Sequence, residues 1–280
     1  MADIINFDEI RRRALEKKGL ADILTEGEVA DAGKTTDSNS VATVTHLTDY
    51  KEKLHSREVS DFCNGMGLQV YLRETMCAFE GLPAVLEKLH HDPDNIALLL
   101  KTASSYLVFT EAYHYFSTEI EKLSPFFQSP LFRFVEQFPE FLKKTALKII
   151  TLDPSTADGY YYLAEYYQQH DFIKAEQCYL RAIAFSTEIQ RDNGNAELYY
   201  FQLFDLYTNI MNDNLKAEQL LLKGIEEMQS DGLIEKLADF YLANKKYDLA
   251  IAMIGKLDAT GPDKLHVEYL LEKARKGLAE

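Results

Sequence analysis

Four sets of residues in this 280-residue chain have types that could do chemistry, and their spacing decides whether they do. His90-His91-Asp92, joined by His114, offers imidazoles and a carboxylate to a divalent metal. Adjacent residues on a helix point to different faces, and no His-x3-His pair is present, so the ligand geometry is not met. Histidines in the last turn of a helix, favoured there by its dipole, are the simpler reading. Gly65-Met66-Gly67 lacks the third glycine and the lysine of a phosphate loop and reads as a helix break. Cys63, Cys77 and Cys178 form no CxxC pair and no Cys/His cluster, which suits reduced, structural cysteines in a cytoplasmic setting. Neither GxSxG nor HExxH occurs, and no carboxylate pair stands out from the surface acids. The expectation is a protein that is not an enzyme and holds no cofactor and no metal.

The elements that would position any binding residues are helical. Seven prolines and thirteen glycines are few, which favours long helices over many short strands. A hydrophobic fraction of 46% and a charged fraction of 27% are those of a folded chain. Asp and Glu outnumber Lys and Arg 45 to 30, giving a net charge of −15. That balance argues against nucleic acid as a partner, because phosphate neutralisation needs clustered cations. It suits solubility, or attraction of basic partner segments. No uncharged apolar run of about 18 residues is present, so no membrane span is expected. MADIINFDEIRRR carries acids before any apolar run and does not resemble a secretory signal.

Four regions follow from the pattern. In residues 1–24, Ile4, Phe7, Ile10, Ala14 and Leu15 recur at helical spacing beside Arg11, Arg12, Arg13, Lys17 and Lys18. This is either a capping helix with a solvated basic face, or a detachable docking helix or localisation signal. Residues 25–46 contain no Phe, Tyr, Leu or Ile and read as a flexible linker, unable to offset their ordering entropy by burial. Residues 47–150 are helical but irregular. Gly81-Leu82-Pro83 is expected to break one helix and start another, and His91-Asp92-Pro93-Asp94-Asn95 to close the next. Ser129-Pro130 looks like a cap, and Pro139 should kink or restart the helix after it. Phe126, Phe127, Phe132, Phe134, Phe138 and Phe141 are read as inter-helix core.

From Asp153-Pro154 the sequence repeats itself. Tyr160, Leu163, Ala164 and Tyr167 are spaced 0, 3, 4 and 7, as are Tyr200, Leu203, Phe204 and Tyr207, and then Ile234, Leu237, Ala238 and Tyr241. Each set is an apolar stripe on one helix face. Each is followed by a partner spaced 0, 4 and 7: Ala175, Tyr179, Ala182; Ala217, Leu221, Gly224; Ala250, Ile254, Leu257. Small residues there let helix backbones approach, with Phe172 and Tyr247 expected to fill the turns. The offset is 34 residues from Tyr200 to Ile234 but 40 from Tyr160 to Tyr200, because of an insertion around Gln190–Asn195.

Helix pairs at such a period resemble the tetratricopeptide repeat, best over residues 154–257. Upstream, Leu99, Ala103 and Tyr106 imitate the first stripe, and Ala112 with Phe116 the second. The turn between them would be about three residues too short for the family's period, so residues 96–122 are left as one long helix or a hairpin. Lys264 to Leu278 reads as a terminal helix with Glu268, Glu272, Lys273, Arg275 and Lys276 as its polar cap.

The resemblance implies an all-α fold: a right-handed α-α superhelix of helix hairpins over 151–280, its concave groove lined by the first helix of each pair. Tyr161, Phe201 and Glu235 would then face the groove, as would Glu165, Asp205 and Asp239. An acidic stripe with aromatic platforms should favour a protein or peptide segment carrying Lys or Arg beside apolar anchors. The expected function is a protein–protein interaction scaffold or adaptor. Repeat proteins of this family that clamp carboxylate tails use Lys, Asn and Arg at these places; the acids here would repel one. The alternatives are a substrate-specific, secretion-type chaperone and, less favoured, an enzyme whose catalytic part is residues 47–150.

Overall fold

The computed structural model describes residues 69–120, 137–187, 190, 195–257 and 264–279. The amino-terminal amphipathic segment, the 25–46 linker, Cys63, Gly65–Gly67, the side chain of His114, Phe126, Phe127, Ser129-Pro130, Phe132 and Phe134 lie outside them. Among the described residues every regular element is a helix. They divide into two compact units between Cys178 and Tyr179.

The first unit holds α1 (Gln69–His91), α2 (Ile96–Ile120), α3 (Phe138–Leu152), α4 (Ala157–Gln168) and the first half of α5 (Phe172–Phe185). Consecutive helices from α1 to α4 pack on one another, and α4 also reaches α2. Contrary to the sequence expectation, Gly81-Leu82-Pro83 does not break the chain, and α1 continues through Pro83. An interior proline removes one hydrogen bond and costs about 3 kcal/mol. Leu82, fully buried, anchors the helix across that gap. Beside it, Gly81 is exposed, and a Cβ there would meet nothing within 4 Å. Gly81→Ala should therefore stabilise the unit by about 0.5–1 kcal/mol through helix propensity alone, read as a rise in its urea midpoint.

Residues 96–120 form a single helix, α2, and its stripe of Leu99, Ala103, Tyr106 and Phe109 is buried. Asn95 starts it by accepting Leu98 N–H at 3.1 Å. Its hairpin partner lies beyond residue 136: α3 opens at Phe138 with Pro139 in the first turn, as the sequence suggests. Lys148 meets Asp94 at 3.1 Å, and the Phe109 and Phe138 rings are 4.7 Å apart, so α2 and α3 run antiparallel. Asp153 closes α3 and accepts both Ser155 N (2.9 Å) and Ser155 Oγ (2.7 Å), which holds its carboxyl below the usual range. Tyr166 Oη donates to Glu140 at 2.6 Å, tying the end of α4 to the start of α3.

The second unit holds the rest of α5, then α6 (Asn195–Asp205), α7 (Asn214–Met228), α8 (Asp231–Ala243), α9 (Tyr247–Ile254) and α10 (Lys264–Ala279). From α6 onward consecutive helices pack on one another, and α6 also touches α8. The three stripes are all buried: Tyr160, Leu163, Ala164, Tyr167 on α4; Tyr200, Leu203, Phe204, Tyr207 from α6 into the turn after it; Ile234, Leu237, Ala238, Tyr241 on α8. So are Ala175, Tyr179, Ala182, Ala217, Leu221, Ala250 and Ile254 on the partner helices. Leu257 falls past the end of α9 and is partly exposed. Of the two turn aromatics, Tyr247 packs against Gly277 of α10, whereas Phe172 stays 47% exposed.

The middle pair differs from its neighbours in one respect. α6 continues as a π-helical turn, Leu206–Ile210, with Met211 N–H bonded to Leu206 O at 3.0 Å. Ten residues separate Tyr207 from Ala217, against nine from Tyr241 to Ala250. The wider turn takes up the additional residue without displacing either stripe. Asn212 (φ 53°) and Lys245 (φ 58°) reverse the chain in the two turns, and Asp213 caps α7 by accepting Lys216 N–H at 3.0 Å.

Candidate functional site

The residues singled out from the sequence fall on α4 in the first unit and on α6 and α8 in the second. On α4, Tyr161 is buried and Glu165 half-buried. Burial first, and then the neighbouring carboxylates Glu165 and Glu111, push the Tyr161 hydroxyl well above its ordinary range, so it stays protonated and able to donate. Its neighbour Tyr162, 5.4 Å away ring to ring, is pushed up to about 12 by burial and the Asp158 charge, against a hydrogen bond from Ser104. Tyr161 and Glu165 thus form a neutral donor beside a carboxylate pair contributed by α2 and α4.

On the second unit, polar ties bring α6 and α8 together in parallel. Ser230, the cap of α8, donates to Glu197 near the start of α6 and accepts Leu233 N–H at 3.2 Å. Near the other end of α6, Lys236 meets Asp205 at 3.1 Å. Its ammonium also lies 5.7 Å from the Phe201 ring centre and 5.2 Å from that of Phe204. On α8, Glu235 meets His266 of α10 at 2.7 Å, while Asp239, one turn further on, is exposed. Lys236 thus brings Phe201 and Asp205 of α6 against α8, whereas Glu235 is tied to α10 through His266. Of the acids, Asp205 already holds Lys236 and Glu235 already contacts His266 within the chain.

Lys236 and His266 were not singled out by sequence reading. No periodicity within a helix marks them, since each partner lies on another helix, about thirty residues earlier in the chain. Lys236 is a long side chain reaching back across a repeat, a contact that only stacking creates.

A second tie lies on the other side of α8. Tyr241 Oη donates to Glu218 at 2.8 Å, and Lys246 Nζ lies 2.7 Å from the same carboxylate. Partial burial raises the Glu218 pKa, but the Lys246 and Tyr241 hydrogen bonds outweigh it, and the net shift is downward. A depressed carboxylate stabilises the fold above its unfolded pKa and loses that contribution as pH falls through the folded value. The stability gap between the native chain and Glu218→Gln should thus be widest near neutral pH. It should close in acid below about pH 4, in urea titrations at stepped pH.

His90 and His91 sit exposed in the last turn of α1, rings 5.6 Å apart, each on a different side of the helix. Among the described residues no group of three or more His, Cys, Asp or Glu is arranged to hold a metal ion. Of the cysteines, Cys77 is exposed and Cys178 buried. No described helix is long and apolar enough to cross a membrane. No family model matches the chain, and no curated protein is significantly similar to it.

Proposed function

We propose that this chain is an interaction scaffold or adaptor whose tetratricopeptide-like hairpins hold a segment of another protein carrying Lys or Arg beside apolar residues. On this reading the hairpins of each unit stack as turns of a right-handed superhelix. The first helices, α4 in one unit and α6 and α8 in the other, present Tyr161 and Glu165, and Phe201, Asp205, Glu235 and Asp239. The observation that carries the reading is the seat of Lys236. An ammonium held by a carboxylate and faced by two aromatic rings is, within the chain itself, the contact a partner's Lys or Arg would make.

Panning a phage-displayed peptide library on the intact chain tests this. The expected selection is of segments with Lys or Arg adjacent to apolar residues. Their affinity should fall at least about tenfold for Glu165→Lys/Asp205→Lys/Asp239→Lys, with helicity by circular dichroism unchanged. The ion pair lost at Asp205 is exposed enough to matter little for stability, about 0–1 kcal/mol. Selected peptides indifferent to charge, or an unchanged affinity, would overturn the proposal.

A further inference from the structure

The binding face of the second unit continues onto α10, which has both apolar and acidic side chains in solvent. Leu265 is 77% exposed and Tyr269 60% exposed. They are four residues apart and so share one helix face. Glu268 and Glu272, at three and seven residues from Leu265, lie on that face as well and are exposed. The opposite face, Val267, Leu270 and Ala274, is buried. The Glu235–His266 contact joins α10 to α8. Lys273, Arg275 and Lys276 sit at the far end of α10. The other end of α10 carries an apolar pair beside Glu268 and Glu272, with Glu235 of α8 joined to it through His266. A terminal helix of a repeat array is expected to turn a polar face outward, which this one does only in part.

We infer that this face is occupied by the chain's own amino-terminal segment, residues 4–18. The inference rests on the binding-face reading above and names one ligand of that face. The segment has the chemistry required. Ile4, Phe7, Ile10, Ala14 and Leu15 recur at helical spacing, and the segment carries Arg11, Arg12, Arg13, Lys17 and Lys18 against Asp8, Glu9 and Glu16. In a chain of net charge −15 this is a basic amphipathic stretch facing an acidic surface with an exposed apolar centre. Fifty residues, 19–68, separate it from the start of α1. Of these, residues 25–46 read as a linker in the sequence. Covalent tethering raises the segment's effective concentration at a face within its reach, so even a weak contact keeps the face filled until a stronger ligand displaces it.

Zero-length carboxyl-to-amine coupling of the full chain, in an equal mixture of 14N- and 15N-labelled molecules, tests the placement. The expected products join Lys17 or Lys18 to Asp239, Glu235, Glu268 or Glu272 within one isotopic chain. Products joining two isotopic chains would assign the face to a second copy and overturn the intramolecular placement, as would coupling to none of these carboxylates.

A labelled peptide of residues 1–20 supplies the energetic arm. It should bind the full chain bearing Arg11→Glu/Arg12→Glu/Arg13→Glu at least about tenfold more tightly than the native chain. That gain should vanish when Asp239→Lys and Tyr269→Ala are added, both at exposed positions. Equal, measurable affinity for native and charge-reversed chains would overturn self-occupancy and leave the binding-face reading standing. Binding to neither would overturn both.

Discussion

Phe138→Ala is expected to destabilise the first unit by about 3–5 kcal/mol, the usual range for removing a buried aromatic ring. Phe138 is fully buried at the first position of α3. Its ring lies 4.7 Å from Phe109, 5.9 Å from Tyr106 and 6.2 Å from Phe141. The cluster joins the start of α3 to the middle of α2, and each ring contact adds about 0.5–1.5 kcal/mol beyond burial. The cost falls at a helix start that has no side-chain cap from Gln137 and is otherwise tied to α4 by the Tyr166–Glu140 hydrogen bond. Amide exchange of α2 and α3 should speed up by the corresponding factor of about a hundred or more. Exchange within α8 should change much less if stability is carried between nearest neighbours. A loss below about 1 kcal/mol would show that the ring is not part of the core.

Gly224→Ala should move stability in the opposite direction from Gly81→Ala, although both glycines lie inside helices. A Cβ at Gly224 would fall 2.7 Å from Tyr200 Cε1 and 2.9 Å from Leu233 Cδ1. Neither neighbour is free to retreat. Tyr200 is buried with its hydroxyl bonded to Glu227 at 3.2 Å, and Leu233 is fully buried beneath α8. Overpacking of about 1–3 kcal/mol outweighs the helix-propensity gain of about 1 kcal/mol. The net expectation is destabilisation by up to about 2 kcal/mol, read from the urea midpoint. A stabilised Gly224→Ala protein would mean that α6, α7 and α8 do not approach as closely here as the packing requires.

Gly224 was legible in the sequence as a slot needing a small residue, and so were the three apolar stripes, because burial on one helix face leaves a local periodic signature. The terminal helix from Lys264 was legible for the same reason. Three features were not. Pro83 carries a strong local signal for a helix end, yet tertiary burial of Leu82 overrides it. The pairing of α2 with α3 crosses residues 121–136, too long a connection for a fixed repeat spacing to detect. Lys236 and His266, against Asp205 and Glu235, are placed by contacts between helices about thirty residues apart. Sequence reading named Asp205 and Glu235 but not Lys236 and His266, which engage them within the chain.

The π-helical turn at Leu206–Ile210 bears on how such a chain changes over time. An inserted residue there widens one turn and leaves the stripes on either side in phase, so length variation is absorbed where it arises. The spacing from stripe to partner is eight residues after Tyr167, ten after Tyr207 and nine after Tyr241. A pattern that assumes one repeat length loses phase at every such step, while the side chains keep theirs. Ancestry in a chain of this kind is better sought in the order of buried stripes than in the distance between them.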